Sequence, residues 1–252
     1  MDYNNMLLGP NKAGEPSLCE VRQFQSPYKL DIDDMCERYS KLYTGAVIDI
    51  FQEMNLHNQW LGPDVKCLTK WMTNDEPALA GFAFTIQWIS DPRPEERGMM
   101  GAKMVGSYPR NSIVVVDCGN DHKSGFWGEL ATTTCIKNGV RGAVINGGAK
   151  DVGFVRKLGF PIYAKYSSCV DGFHYSRIRG WNLPIWWGDI LIRPMDFLLG
   201  DTDGVLVIPQ EVAEEVMIRT EARSRGEDET RALLEAGIHP MEASVRTGRK
   251  DL

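Results

Sequence analysis

Apolar and polar positions follow one rhythm near the start of the chain and another from its middle. Residues 31–55, DIDDMCERYSKLYTGAVIDIFQEMN, carry apolar side chains at helical spacing, with acids in the first turn where the helix dipole favours them. Gly45 predicts a break between two helices. In ALAGFAFTIQWI (78–89), Phe82, Phe84, Ile86 and Trp88 alternate with small or polar residues, the period of a strand. DPRPEERG (91–98) reads as a turn leading to a polar loop or short helix.

From residue 111 a unit repeats. NSIVVVDCG is a buried strand, NDHKSGFWG a glycine-rich loop, and ELATTTCIKNG a helix closed by Asn138 and Gly139. VRGAVI is again a strand, NGGAKD a loop, VGFVRKLG a short helix ending at Gly159, and FPIYAKY a strand. Two successive strand–loop–helix units imply parallel strands joined by right-handed crossovers, hence an α/β fold. After Ser167 the texture becomes β with loops, LPIWWGDILIRPMDFLLGDTDGVLVIP. Residues 211–236 predict a polar, charged helix, and HPMEASVRTGRKDL a loose tail or a partner-binding arm. Pro10, Gly14, Pro16 and Pro27 interrupt any regular pattern in an N-terminal arm, residues 1–30.

A chain of 252 residues buries a real core, and one α/β domain of this length is ordinary. Its net charge of −6 disfavours nucleic acid and anionic membrane as partners. No apolar run reaches membrane-spanning length, and the polar beginning MDYNNMLLGPNKAGEPS lacks the core of a signal peptide, so the expected location is cytoplasmic. The six cysteines form no CxxC pair and read as reduced core thiols, with disulfides or a zinc site as lesser alternatives. The four histidines show no metal-ligand spacing.

Chemistry concentrates at the two glycine loops, because ligands of parallel α/β units bind beyond the carboxyl ends of the strands. The first loop enters a helix at GFWGEL, where free backbone N–H groups attract anions. The second presents Lys150 and Asp151: a carboxylate suits Mg²⁺ or Mn²⁺, and an ammonium can hold a carboxylate or a developing enolate. Plainer readings stand beside these. Asp151 can cap the helix that starts at Val152, Lys150 can be a solvated surface lysine, and Glu129 an ordinary first-turn acid. Asp121, His122 and Lys123 read as a polar loop, Trp186 and Trp187 as packing residues, and DGFHYSRIRG (171–180) as a solvated loop whose arginines could take an anion. Neither loop matches GxGxxG or GxxxxGK[ST], so nucleotide binding is not supported.

GFWGELATTTCIKNGVRGAVINGGAKDVGFVRKLGFPIYAK, continued by WNLPIWWGDILIRPMDFLLGDTDGVLVIP and preceded by YTGAVIDIF and LAGFAFTI, resembles the RraA-like family, which includes 4-hydroxy-4-methyl-2-oxoglutarate aldolases. The resemblance covers roughly residues 38–218 and implies an RraA-like domain over 31–218, followed by a C-terminal helix and tail at 219–252. It implies a swivelling-domain-like β/α sandwich with a β-rich C-terminal half. It also implies a homotrimer or a dimer of trimers with active sites between subunits. The family's aldolases are lyases of the class II type: a divalent ion, usually Mg²⁺ (or Mn²⁺), stabilises the enolate of a 2-oxo acid during carbon–carbon cleavage, and some decarboxylate oxaloacetate.

Active members carry an acid, twenty residues, then Arg-Asp; here Glu129, twenty residues, then Lys150 and Asp151 fall into that register. The resemblance thus implies that Asp151 holds the metal and that Lys150 stands at the substrate-binding arginine. The backbone of Gly128, Glu129, Leu130 and Ala131 would hold the substrate carboxylate, and Glu129 would orient metal-bound water. Lys150 gives up the planar fork of arginine, and Asn146 stands where the family has Asp. A Schiff base on Lys150 is a lesser alternative, needing a depressed pKa. The expected substrate is a small 2-oxo acid or sugar-derived oxo acid. Other family members do no chemistry and inhibit an RNA-degrading enzyme, which is the rival reading.

Overall fold

In the computed structural model, which describes residues 26–69, 77–91 and 97–248, Asp31 opens the first helix. Its carboxylate accepts from the Asp34 N–H at 3.2 Å and caps α1 (Ile32–Tyr39). The next helix, α2 (Thr44–Glu53), begins before Gly45 rather than at it. The reason is Asp201, whose carboxylate accepts from Thr44 N at 2.7 Å and Thr44 Oγ1 at 2.9 Å and so fixes the start of α2. The expected break at Gly45 therefore falls at residues 40–43.

The chain continues through β1 (Lys66–Cys67), β2 (Leu79–Ser90), α3 (Arg97–Gly106), β3 (Ser112–Asp117), α4 (Glu129–Asn138) and β4 (Gly142–Ala149). Then come α5 (Val152–Lys157), β5 (Ile162–Ser167), a 3-10 turn at Gly172–His174, β6 (Ser176–Trp181), β7 (Ile185–Trp187) and β8 (Ile190–Ile192). β9 (Phe197–Gly200), β10 (Val205–Ile208), α6 (Ala213–Glu235) and α7 (Pro240–Thr247) complete it.

Among the described residues eight strands form one mixed sheet in the order β1-β5-β4-β3-β2-β9-β10, with β6 also paired to β2. β2 to β5 run parallel, as the repeated strand–loop–helix units predict. β1, β6 and β9 run antiparallel to these four, and β10 is antiparallel to its neighbour β9. On the edge away from β3, β2 serves two neighbours: its first half pairs with β9 and its second with β6, with a register shift between Gln87 and Trp88. An irregularity of this kind bends a strand, so the sheet curls.

Three cores result. Phe84, Val114, Val116, Ile145 and Ile162 pack under the α3–α5 side against Tyr108, Trp127, Cys135 and Phe160. Ala83, Ile113, Val115, Val144 and Tyr163 face the β7–β8 ribbon through Ile185, Trp187 and Ile192. Met35, Tyr39, Phe51, Val216 and Met217 of the terminal helices cover Phe82, Phe197 and Leu206. Burying each Val, Leu, Ile, Phe or Met side chain among these contributes about 1.5–3 kcal/mol. The thiols of Cys36 and Cys135 are pushed up to about 12 by burial, and that of Cys118 is also raised by burial, so these three are core thiols as expected, whereas Cys67 is partly buried, Cys169 is exposed and Cys19 lies outside the described residues. Among the described residues no helix is long and apolar enough to cross a membrane.

Three local expectations are corrected. NGGA is not loop: β4 runs on to Ala149, because bare glycines let Cys118 and Tyr166 pack flat on the strand. Residues 171–180 are not a solvated loop but a turn and a strand, and Arg177 is spent on Asp91 at 2.9 Å. HPMEASVRTG is no loose tail; Pro240–Thr247 is a helix with Ala243 buried, and Thr230 Oγ1 donates to Thr247 Oγ1 at 3.1 Å. The N-terminal arm up to residue 25 and residues 249–252 lie outside the described residues.

Candidate active site

The helix α4 starts with nothing but backbone. Gly128 precedes it without a side-chain cap, so its first N–H groups need partners from elsewhere. One partner comes from the other glycine loop: Asp151 Oδ2 accepts from Glu129 N at 3.3 Å. A Cβ at position 128 would lie 2.7 Å from that same oxygen, so glycine is what lets the carboxylate in. The N–H groups of Leu130 and Ala131 have no hydrogen-bond partner among the described residues.

Asp151 itself sits at the N-cap position of α5 but makes no side-chain cap bond to that helix. Its backbone is left-handed, with φ 56°, which turns the side chain away from α5 and toward α4. The plain capping reading is thereby set aside. Oδ1 of Asp151 has no partner among the described residues, and the residue is exposed.

Three threonines, poor helix formers, follow Glu129 and each is tied down. Thr132 Oγ1 donates to Gly128 O at 3.0 Å and Thr134 Oγ1 to Leu130 O at 3.1 Å. Thr133 Oγ1 donates to the Glu129 carboxylate at 2.8 Å, and Trp127 Nε1 to Thr132 Oγ1 at 2.8 Å. The start of the helix is thus locked to its loop, and the Glu129 carboxylate is held on the helix side.

The loop between β3 and α4 is itself extended over residues 125–127. Gly125 bridges both Gly148 and Asp171, with Gly125 N donating to Val170 O at 2.7 Å and Gly172 N to Gly125 O at 3.1 Å. Phe126 N donates to Gly148 O at 2.9 Å, and Lys150 N to Trp127 O at 2.6 Å. Asp121 anchors the loop's first part by accepting from Lys123 N, Ser124 N and Ser124 Oγ; burial would raise its carboxyl, but these donors win and hold it below the usual range. The polar-loop reading of 121–123 fits this role.

Lys150 is not a free surface lysine. Its ammonium donates to Asp171 Oδ2 at 2.9 Å, and both side chains are partly buried. The hydrogen bond to Asp171 holds the lysine above its ordinary range, which disfavours the neutral amine that a Schiff base requires. For Asp171 burial works upward, yet the Lys150 ammonium and the Phe173 N–H outweigh it and keep the carboxyl low.

The Asp151 carboxylate therefore meets the backbone at the start of α4, with Lys150 next to it in the chain; the Lys150 ammonium goes to Asp171 and the Glu129 carboxylate to Thr133. Asn146 lies within β4, four residues before Lys150, in the stretch where the β4–β5 register shifts. Trp187 is buried in the β7–β8 ribbon with Lys165 Nζ 5.9 Å from its ring, whereas Trp186 is 59 % exposed. Sequence reasoning missed Asp171, Gly125 and Tyr166. The Asp171-Gly172 pair is a turn signal, but no spacing rule ties it to a lysine twenty-one residues earlier. Tyr166 packs its ring on Gly148; its buried hydroxyl has no partner among the described residues and is pushed up to about 12 by burial.

A family model described as RraA-like, Aldolase/RraA, matches residues 44–207. A protein of Halalkalibacterium halodurans named "Putative 4-hydroxy-4-methyl-2-oxoglutarate aldolase" is 31% identical over 178 residues, covering 66% of this chain and 82% of that protein. Protein DlpA of Legionella pneumophila is 26% identical over 159 residues, 63% of this chain; the chain spans only 26% of DlpA. Among solved structures, one described as novel cellulases from microbes of the gut ecosystem is 30% identical with a TM-score of 0.74, covering 83% of this chain and 90% of that one. RraAS2 of Streptomyces coelicolor, described as an unusual member of the RNase ES inhibitor RraA protein family, has a TM-score of 0.69 at 19% identity, covers 81% of this chain and 99% of that one, and so shares the fold.

Proposed function

The chain belongs to the RraA-like family, and from that premise we propose that it is a divalent-metal-dependent lyase. It would cleave or decarboxylate a 2-oxo acid or sugar-derived oxo acid, leaving the bonding electrons as an enolate. One observation carries the reading: Asp151 turns from its own helix to the start of α4, beside Lys150.

The donors suit a loosely held ion. Among the described residues no group of three or more His, Cys, Asp or Glu is arranged to grip a metal. What is offered is one carboxylate with an open oxygen, Asp151 Oδ1, next to Glu129. Mg²⁺ or Mn²⁺ suits such a site, because Mg²⁺ keeps several waters and needs only one or two carboxylates plus its substrate. A bound ion there would supply Lewis acidity to a keto oxygen, worth several kcal/mol.

The chain's own residues would do the rest. The open N–H groups of Leu130 and Ala131 would hold the substrate carboxylate at the positive end of α4. Lys150 would place a cation beside the oxygen that gains charge. Glu129, steadied by Thr133, would orient a water. Exposed Leu130 and Phe154 at the mouth support a second copy covering the site, as a homotrimer or a dimer of trimers would do. A cellulase-like reading would ask for two carboxylates facing each other across a cleft, whereas here Asp151 is turned onto an amide and Glu129 is held by Thr133.

The test is a screen of 2-oxo acids and sugar acids with Mg²⁺ or Mn²⁺, reading out pyruvate and CO₂. Asp151→Ala is expected to lose metal-dependent turnover while the oligomer persists. Turnover at the wild-type rate in that variant, or in excess chelator, would refute the proposal. Binding to an RNA-degrading enzyme without any turnover would support the family's inhibitory role instead.

A further inference from the structure

Lysine alone is a poor positioning device. Its charge is a point at the end of a flexible four-carbon stem, and it lacks the rigid fork of a guanidinium. In this site two features remove that freedom. The stem of Lys150 crosses Gly125 so closely that a Cβ there would lie 2.5 Å from Lys150 Cγ and 3.1 Å from Lys150 N. The ammonium then ends on Asp171 Oδ2 at 2.9 Å. Asp171 is itself fixed: its other oxygen accepts from Phe173 N at 2.9 Å, and its backbone bridges Gly125.

We propose that Asp171 is a positioning residue, which draws the Lys150 ammonium across Gly125 to a fixed place and so sets the site's affinity for the oxygens of a 2-oxo acid. The inference rests on the lyase reading of the same site. An ammonium has three N–H donors; one goes to Asp171 and two remain for a ligand.

The sign of one substitution separates this from the obvious alternative. If Asp171 merely competed with an anionic ligand for the lysine, removing its charge would tighten anion binding. If it positions the lysine, removal weakens binding despite the lost repulsion. Asp171→Asn is suitable because the asparagine oxygen can still accept from Phe173 N and keep the turn.

Oxalate, a planar dianion resembling pyruvate enolate, is titrated calorimetrically into protein with saturating Mg²⁺. The expected result is an affinity about tenfold weaker in Asp171→Asn, approaching that of Lys150→Ala, with most of the loss recovered in Asp171→Glu. Unchanged or tighter binding in Asp171→Asn overturns the proposal. A second measurement needs no ligand: labelling of Lys150 by a limiting amine-reactive reagent, followed peptide by peptide against exposed Lys137. Labelling is expected to rise several-fold in Asp171→Asn, and an unchanged ratio overturns the proposal. If wild-type protein fails to bind oxalate, the lyase reading fails, while the labelling ratio still decides whether Asp171 holds the lysine.

Discussion

Gly125 shows how much of this site depends on what is missing. The position needs no unusual backbone angle; it needs room, because the Lys150 stem and backbone occupy the space a methyl would take. Gly125→Ala should therefore push the lysine off its path and cost about 1–3 kcal/mol of stability, the range for overpacking. Urea unfolding checks this, and a variant as stable as wild type would show that the loop yields freely. Gly128 has the same logic with a different neighbour, the Asp151 carboxylate. Both glycines were visible in the sequence as a loop, but which side chain each makes room for was not. That information lies in the approach of β4 to the 125–127 segment, across more than twenty residues of chain.

Helices and strands were legible where local signals agreed. Asn138-Gly139 closes α4 as expected, with Gly139 at φ 74°, and Gly159 follows α5 at φ 69°. The end of β4 was not legible, because glycines punctuate a sequence whether they make a turn or flatten a strand for a tyrosine. α7 carried its own signals, Pro240 in the first turn and Gly248 just past the end, inside a stretch whose polarity suggested a tail. Between elements, arginines fasten α6 to the front helices: Arg38 grips Glu221 with two hydrogen bonds of 2.7 and 2.8 Å, and Arg223 meets Asp49 at 2.7 Å. The Arg38 hydrogen bond holds the Glu221 carboxyl below the usual glutamate range, and Arg193 does the same for Glu211. A depressed carboxylate stabilises the fold above its unfolded pKa of about 4.3 and loses that contribution as pH falls through its folded value. Arg38→Ala should thus cost about 1 kcal/mol near neutral pH and little in strong acid. Thermal unfolding as a function of pH measures the difference, and an equal loss at both ends would assign the effect to packing by the arginine stem.

The candidate site lies on the helix-covered side of a curled sheet, with exposed apolar side chains beside it. Leu130 is 81 % exposed and Phe154 64 %, on the two helices that flank the candidate site. Exposed apolar groups so placed favour association. On the proposed trimeric assembly, Phe154→Asp should lower the mass in solution toward the 28.3 kDa of one chain, read by light scattering. A mass unaffected by the substitution would move the interface elsewhere.

The left-handed main chain at residue 151 restricts what inheritance can put there. Glycine and asparagine accept that twist readily and aspartate nearly so, while longer or branched side chains pay about 1–2 kcal/mol. Glycine and asparagine, though, bring no negative oxygen to the neighbouring helix. Drift at this codon therefore meets a choice between shape and charge, and the short acid is the residue that keeps both.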